Sequence, residues 1–339
     1  MMAKALAAIS AKEQPSGAAA AVPPVQNPLR IATETALHKT LYMPSRLATA
    51  ADGAAATAVK VVAVPKPSCT VPGLPATTLL MDEATGALRA VVNSAQLTGI
   101  RTAAASALAT KLLAEPGSQT LVIFGSGVQA YHHARLILEL FPAITTVKLV
   151  VRSRGARADA LAKDIASLFP KVDITLEGPD GTADAVRTAD IICTCVPSTE
   201  PLFAAEDVKA GAHINAIGSY TPAMFEFPPA LVAASSAPSG PSPRIPHILV
   251  DSRSACLAES GELIAAHVTP DRLVELGELF DPLTGVLNVD KDARQLLANL
   301  RPNAISLFKC VGIGGMDVAI TRLVVEEAEK RGLGTVVPF

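Results

Sequence analysis

The chain has 339 residues, half of them hydrophobic, which is enough for a large core in one or two domains. A formal charge of −2 with no long run of either sign argues against nucleic acid as a partner and for small molecules. Its five cysteines form no CxxC pair and no Cys/His ligand spacing, which fits a reducing, cytoplasmic compartment better than a disulfide scaffold and gives no metal site.

The opening stretch lacks the apolar centre of a signal peptide and is poor in Arg, and no apolar run approaches the length of a membrane span. Pro15 to Pro28, rich in Ala, Pro and Gly, reads as a flexible approach to the fold. "TAVKVVAV" (57–64) and "ATTLLM" (76–81) read as strands, "DEATG" as a turn and "ALRAVV" as the returning strand. Asn93 or Ser94 then caps a long helix over 95–114, stopped by Glu115-Pro116-Gly117.

From residue 120 strand and helix alternate. "TLVIFGSG", "TTVKLVVRS" and "VDITLEG" are strands, each followed by a helical pattern: "VQAYHHARLILELF", "GARADALAKDIASLF" and "TADAVRTA". "DIICTCVPS", "GAHINAIGS" and "HILVDS" follow as strands, with a Ser/Pro-rich surface insertion over 235–247. "AISLFKCVG" is a further strand, and "MDVAITRLVVEEAEKR" an amphipathic helix ending at Gly332. The alternation predicts an α/β fold with a Rossmann-type doubly wound parallel sheet, beside a smaller α+β region built from the earlier antiparallel strands.

Gly125, Gly127 and Ala130 fit GxGxxA, directly after a strand and opening a helix. Gly125 permits the tight turn, Gly127 lets a pyrophosphate approach the backbone, and Ala130 lets helix and strand pack closely. Ser126, Val128 and Gln129 complete the turn and the helix N-terminus, whose N–H groups suit an anion. At the tip of the next strand stand Arg152, Ser153 and Arg154 where NAD-selective sites place a carboxylate. Two cations and a hydroxyl suit a 2′-phosphate, so NADP(H) is favoured over NAD(H). Thr194 and Val196 end one strand and are assigned to the adenosine side. Ile217 and Gly218 end the next and approach the nicotinamide, because ligands gather at the carboxyl ends of parallel strands. Asp251 reads as a turn or cap residue, and the His132–His133 pair as packing or solvent-facing rather than metal-ligating.

"IRTAAASALATKLL", "FGSGVQA", "INAIGSYTP" and "FKCVGIGGMD" together resemble the ornithine cyclodeaminase/mu-crystallin family, in the family's order, from about Arg30 to Gly332. The resemblance implies a Rossmann domain over 115–311 and a smaller substrate-binding and dimerisation domain over 1–114 and 312–339, in a homodimer. It also implies a further strand and helix ahead of "AKALAAISAKE". Family activities include ornithine cyclisation, cyclic ketimine reduction and amino-acid dehydrogenation, and mu-crystallin binds thyroid hormone. The resemblance gives Arg30, Lys60 and Arg101 the task of holding a substrate carboxylate, and Val311 and Gly312 a place in the segment that closes over the nicotinamide. The residues agree in part: Lys60 lies in an otherwise apolar strand, where an ammonium needs an anion. The guanidinium of Arg101 can grip a carboxylate through two parallel hydrogen bonds. The competing reading is structural ion pairing, for example with Glu83.

Two departures decide among the activities. Ornithine-cyclising members carry a Glu two residues before "MP", where this chain has Leu41, and an Asp after "INA(I/V)G", where it has Tyr220. Leu moves no protons, and Tyr is a weak acid with an unperturbed pKa of about 10. Gly314, Gly315 and Met316 also depart from the family pattern, whereas Asp317 keeps it. The expectation is therefore an NADPH-dependent reductase of small cyclic ketimine carboxylates, with Lys60 relaying a proton and Tyr220 assisting. The alternatives are an NAD-dependent ornithine cyclodeaminase and a non-catalytic NADPH-dependent binder of small carboxylates.

Overall fold

Two eleven-residue strands whose burial alternates over most of their length organise the first compact unit of the computed structural model, which describes residues 1–11, 23–48, 55–66, 68–70, 73–233, 244–288, 291–300 and 305–337. This unit comprises Met1–Arg101, Phe280–Val286 and Ile313–Phe339. It contains helix α1 (Met2–Ser10), strands β1 (Val25–Gln26), β2 (Ile31–Glu34), β3 (His38–Ala48), β4 (Ala55–Pro65), β5 (Ala76–Met81) and β6 (Leu88–Asn93), and the late helix α9 (Gly314–Lys330). The strands form one antiparallel sheet in the order β1-β3-β4-β5-β6, with β2 also on β3.

Its inner face carries Leu47, Ala56, Ala58 and Leu80, which pack with Ala5 of α1 and with Val318, Ala319 and Val325 of α9. A fully buried side chain such as Leu80 contributes roughly 1.5–3 kcal/mol. Gly314 and Gly315 let α9 approach this closely. A Cβ at Gly314 would lie 2.2 Å from Ser45 Oγ, and one at Gly315 2.7 Å from Ile9 Cδ1. The family departure at these two positions is thus a packing requirement. The outer face holds a row of paired apolar residues across four strands: Pro44, Val59, Leu79 and Val91. Val91 is 61% exposed.

The sequence reading did not include β3, because Pro44 interrupts it. The structure shows why Pro is tolerated there: β2 pairs with residues 39–42 and β1 with 46–47, so the missing N–H falls in the gap between them. β1 likewise corrects the expected approach segment, of which residues 15–22 lie outside the described residues.

The second unit comprises Thr102–Leu279 and Leu287–Gly312. Helix α2 (Ala95–Leu113) runs into it, capped by Asn93 Oδ1, which accepts from Ala95 N at 3.1 Å. The Ser94 hydroxyl instead bonds Thr78 Oγ1 at 2.6 Å. Then follow β7 (Thr120–Phe124), α3 (Val128–Leu140), β8 (Thr146–Val150), α4 (Ala156–Leu168), β9 (Asp173–Glu177), α5 (Thr182–Thr188), β10 (Ile191–Thr194), β11 (His213–Ala216), β12 (Ile248–Val250), α6 (Arg253–Glu259), α7 (Gly261–Ala265), β13 (Leu273–Glu275), α8 (Lys291–Leu300) and β14 (Ser306–Lys309). All eight strands are parallel, in the order β13-β12-β14-β11-β10-β7-β8-β9. The order reverses at β7, so the switch point of this doubly wound sheet lies between β7 and β10. Leu121, Ile123, Leu149, Ile165 and Ile191 form the core between sheet and helices. Most of the expected 235–247 insertion lies outside the described residues; Arg244 at its end donates to the carbonyls of Ala205 and Val208.

Candidate functional site

On the inner face of the antiparallel sheet the register puts Lys60 between Met43 and Thr78, with the side chain fully buried. Its Nζ lies 3.0 Å from Oδ1 and 2.9 Å from Oδ2 of Asp317, in the first turn of α9. Arg101 Nε donates to the same Oδ1 at 3.2 Å, and its Nη1 approaches Met316 Sδ at 3.8 Å. The structural partner of both cations is therefore Asp317. Glu83, the partner considered from sequence, instead accepts from Arg46 and Thr57.

Burial is the largest influence on Lys60 and lowers its pKa. Asp317 pulls the other way, and the charges of Arg101 and half-buried Arg30 depress it further, to about 8 from 10.5. Lys60 and Arg101 thus meet at Asp317, and the charge of Arg30 is felt at Lys60. Asp317 is the site residue that sequence reasoning missed. Its signal was an acid in the first turn of a helix that opens on glycines.

In the parallel-sheet unit the GxGxxA turn has the expected form. Gly125 adopts φ +108°, and a Cβ there would meet Val196 Cγ1 at 2.7 Å. Ala130 is fully buried, and the N-cap of α3, Gly127, leaves the helix start without a side-chain cap. Its N-terminal N–H groups are thereby available to an anion, and the turn fits a dinucleotide pyrophosphate. Ser126 and Gln129 are half-buried and Val128 is exposed around the turn. Arg157 of α4, absent from the sequence reading, donates from Nε to Ser126 O at 3.0 Å.

Arg152, Ser153 and Arg154 are exposed beyond β8, and Arg154 donates to the carbonyl of Leu176. Val196 is half-buried at the end of β10. Thr194 is fully buried, with its hydroxyl on Asn215 O at 3.5 Å, so its side chain supports the strand rather than lining a surface. Ile217 is buried, Gly218 half-buried, and Tyr220 half-buried after β11.

Asp251 is fully buried and accepts from Gly312 N at 2.7 Å, Ser252 N at 2.9 Å and Val311 N at 3.4 Å. It thus ties the Val311–Gly312 turn, where Gly312 has φ +80°, to the end of β12. His133 is buried; its Nδ1 donates to Gln129 O, its Nε2 accepts from Ser106 Oγ, and burial lowers it to about 4, so it is a neutral packing residue. Among the described residues no cluster of His, Cys, Asp and Glu could hold a metal, and no helix is long and apolar enough to cross a membrane.

One unit thus holds a buried cluster of cations about a carboxylate and the other a dinucleotide-type turn, and known proteins share the fold. The chain is 30% identical to Delta(1)-pyrroline-2-carboxylate reductase of Bacillus cereus over 94% of its own length and 90% of that protein. It is 34% identical to ketimine reductase mu-crystallin of Mus musculus over 75% of its length and 74% of that protein. The structure of Thermococcus litoralis Delta(1)-pyrroline-2-carboxylate reductase in complex with NADH and L-proline superposes with a TM-score of 0.79 at 26% identity, covering 99% of this chain and 94% of that one. The family model of the ornithine cyclodeaminase/mu-crystallin family matches residues 11–332, and with those four motifs in register the chain belongs to that family.

Proposed function

We propose that the protein is an NADPH-dependent reductase of small cyclic ketimine carboxylates of the pyrroline-2-carboxylate and piperideine-2-carboxylate kind. The observation that carries this reading is the buried Lys60. Burial, which Asp317 only partly offsets, depresses its pKa to about 8, and a substrate carboxylate is a second anion that would stabilise the buried ammonium. Arg30 and Arg101 complete the anion grip in this reading, and Lys60 Nζ holds the proton for the imine nitrogen. Tyr220 is the second proton carrier. A nicotinamide cofactor supplies hydride to a C=N carbon when bound; the chain's part is to hold the carboxylate, orient the ring and exclude water.

Leu41 favours reduction over ornithine cyclisation. It is buried two residues before Met43 on the sheet face that carries Lys60, where a cyclising member would place its Glu. The relatives named reductases and the neighbour bound to NADH and L-proline support the same class. The adenosine end is assigned to Gly125–Gln129, Arg152, Ser153, Arg154 and Val196, with the two arginines and no carboxylate favouring NADP(H). Ile217, Gly218, Val311 and Gly312 are assigned to the nicotinamide end.

The protein works as a cytoplasmic homodimer in this reading. The apolar row Pro44, Val59, Leu79 and Val91 offers a face for a second copy, and none of the five cysteines is in a disulfide. The test is oxidation of NADPH and of NADH by purified protein with each cyclic imine. Rapid turnover with NADPH supports the reading. Ammonia release from ornithine without net cofactor change would replace it with a cyclodeaminase, and tight ligand binding without turnover with a binder.

A further inference from the structure

One buried cluster has no part in the chemistry above. Glu226 follows β11 in a loop, is fully buried, and receives three backbone N–H groups: Val196 N on Oε1 at 3.1 Å, and Gly218 N and Ser219 N on Oε2 at 2.5 and 2.9 Å. These N–H groups belong to the chain just beyond β10 and β11, neighbouring parallel strands of which β10 borders the switch point. Gly218 has no room for a side chain, since a Cβ would lie 2.4 Å from Glu226 Oε1 and 2.3 Å from Val196 O.

A second layer holds the carboxylate in place. Glu262 of α7 accepts from Glu226 N at 2.7 Å, from Ser260 Oγ at 2.8 Å and from Ser219 Oγ at 2.6 Å. Lys309, at the end of β14, donates to Ser219 O at 2.7 Å and Ser219 Oγ at 2.5 Å, and its Nζ stands 3.9 Å from Glu226 Oε2. Val196 also carries the Cγ1 that abuts Gly125 in the dinucleotide turn.

We propose that Glu226 is a positioning residue for the nicotinamide cofactor: its carboxylate sets the strand-end backbone at Val196, Gly218 and Ser219 before the dinucleotide arrives. The proposal rests on the dinucleotide reading given above. A single carboxylate accepting from both strand ends fixes their separation, so ordering them need not be done at binding. The cluster holds two carboxylates and one ammonium. Burial raises Glu226 to about 7, Lys309 opposing, while Glu262 is lowered. Cys193 of β10 and Cys195 just beyond it also feel the charge of Glu226, and burial keeps both thiols protonated.

Protonated Glu226 is a poorer acceptor for N–H groups, so cofactor affinity weakens as pH falls through about 7. Glu226→Gln puts an amide donor against a backbone N–H. The expected result is a rise of about tenfold or more in Kd and KM for NADPH, an unchanged imine KM, and a flatter pH profile of Kd. The titration of the cofactor's own 2′-phosphate is common to both proteins and cancels in their ratio. A folded Glu226→Gln protein with wild-type NADPH affinity and pH profile overturns the proposal.

Wild-type protein that binds neither NADPH nor NADH overturns the dinucleotide reading itself, and the wild-type control separates the two failures. If the variant does not fold, amide exchange in the wild type decides. Val196, Gly218 and Ser219 amides already protected without dinucleotide support the proposal. Rapid exchange that slows only when NADPH binds refutes it.

Discussion

Replacing Lys60 with Met tests the anion grip most directly. Met keeps a long unbranched side chain in the buried slot on β4 and removes the charge and the donors of the ammonium. A charged hydrogen bond to a carboxylate is worth about 1.5–3 kcal/mol, which corresponds to a rise in imine KM of roughly ten- to 150-fold. Breaking a buried pair from one side costs about 3–5 kcal/mol when the other charge is stranded. Here Arg101 still reaches Asp317 Oδ1 at 3.2 Å, so the loss of stability falls at or below the lower end of that range.

The pH dependence supplies a second reading of the same residue. The folded pKa of Lys60, about 8, lies below the unfolded 10.5. The charged form is therefore penalised by folding, by about 3 kcal/mol at ~1.4 kcal/mol per pH unit. Below pH 8 that penalty is fully present, and it is relieved as pH rises from about 8 towards 10.5, where the unfolded chain binds more protons. Substrate binding follows the opposite course, because only the ammonium attracts a carboxylate. Imine KM should climb above pH 8 in the wild type and stay flat in Lys60→Met. The assay is steady-state NADPH oxidation from pH 6.5 to 9.5 (approximate limits set around that pKa), with urea unfolding at the same pH values. Full turnover with unchanged imine KM in Lys60→Met refutes the role.

Three further outcomes follow from the geometry. Arg152→Ala should raise the KM for NADPH roughly tenfold and leave that for NADH unchanged, measured as paired cofactor titrations; equal effects on both would exclude a 2′-phosphate contact. Gly125→Ala forces a side chain to φ +108° against Val196 Cγ1, costing about 1–3 kcal/mol, and should lower thermal stability and abolish tight dinucleotide binding in calorimetry. Val59→Asp on the outer sheet face should convert a dimer to monomer in sedimentation, and an unchanged sedimentation coefficient would place the interface elsewhere.

The parallel sheet was legible because its strands are buried on both sides and read as continuous apolar runs, "TLVIF" and "DIICT" among them. The GxGxxA turn was legible because its chemistry is local. β3 was not, since Pro44 argues against a strand until the gap between β1 and β2 is known. β13, at three residues, is too short to announce itself. The carboxylates that organise the two clusters were not legible in that role, for a shared reason. Asp317 and Glu226 draw their meaning from partners far along the chain, and nothing in "GGMDVA" or "AMFEFP" points to a lysine, an arginine or the amides of another strand.

Gly314 and Gly315 have a reach beyond their own packing. Between them they contribute no side chain, yet they seat the start of α9 against Ser45 and Ile9, and so place Asp317 beside a lysine 257 residues away in sequence. A single added methyl at Gly314, against Ser45 and the Met43 carbonyl, would lift the helix end, lengthen the ion pair and let the lysine lose its proton at a lower pH. The proton affinity of the buried amine is in this sense a dimension machined into the backbone, held to tolerance by two atoms that are not there.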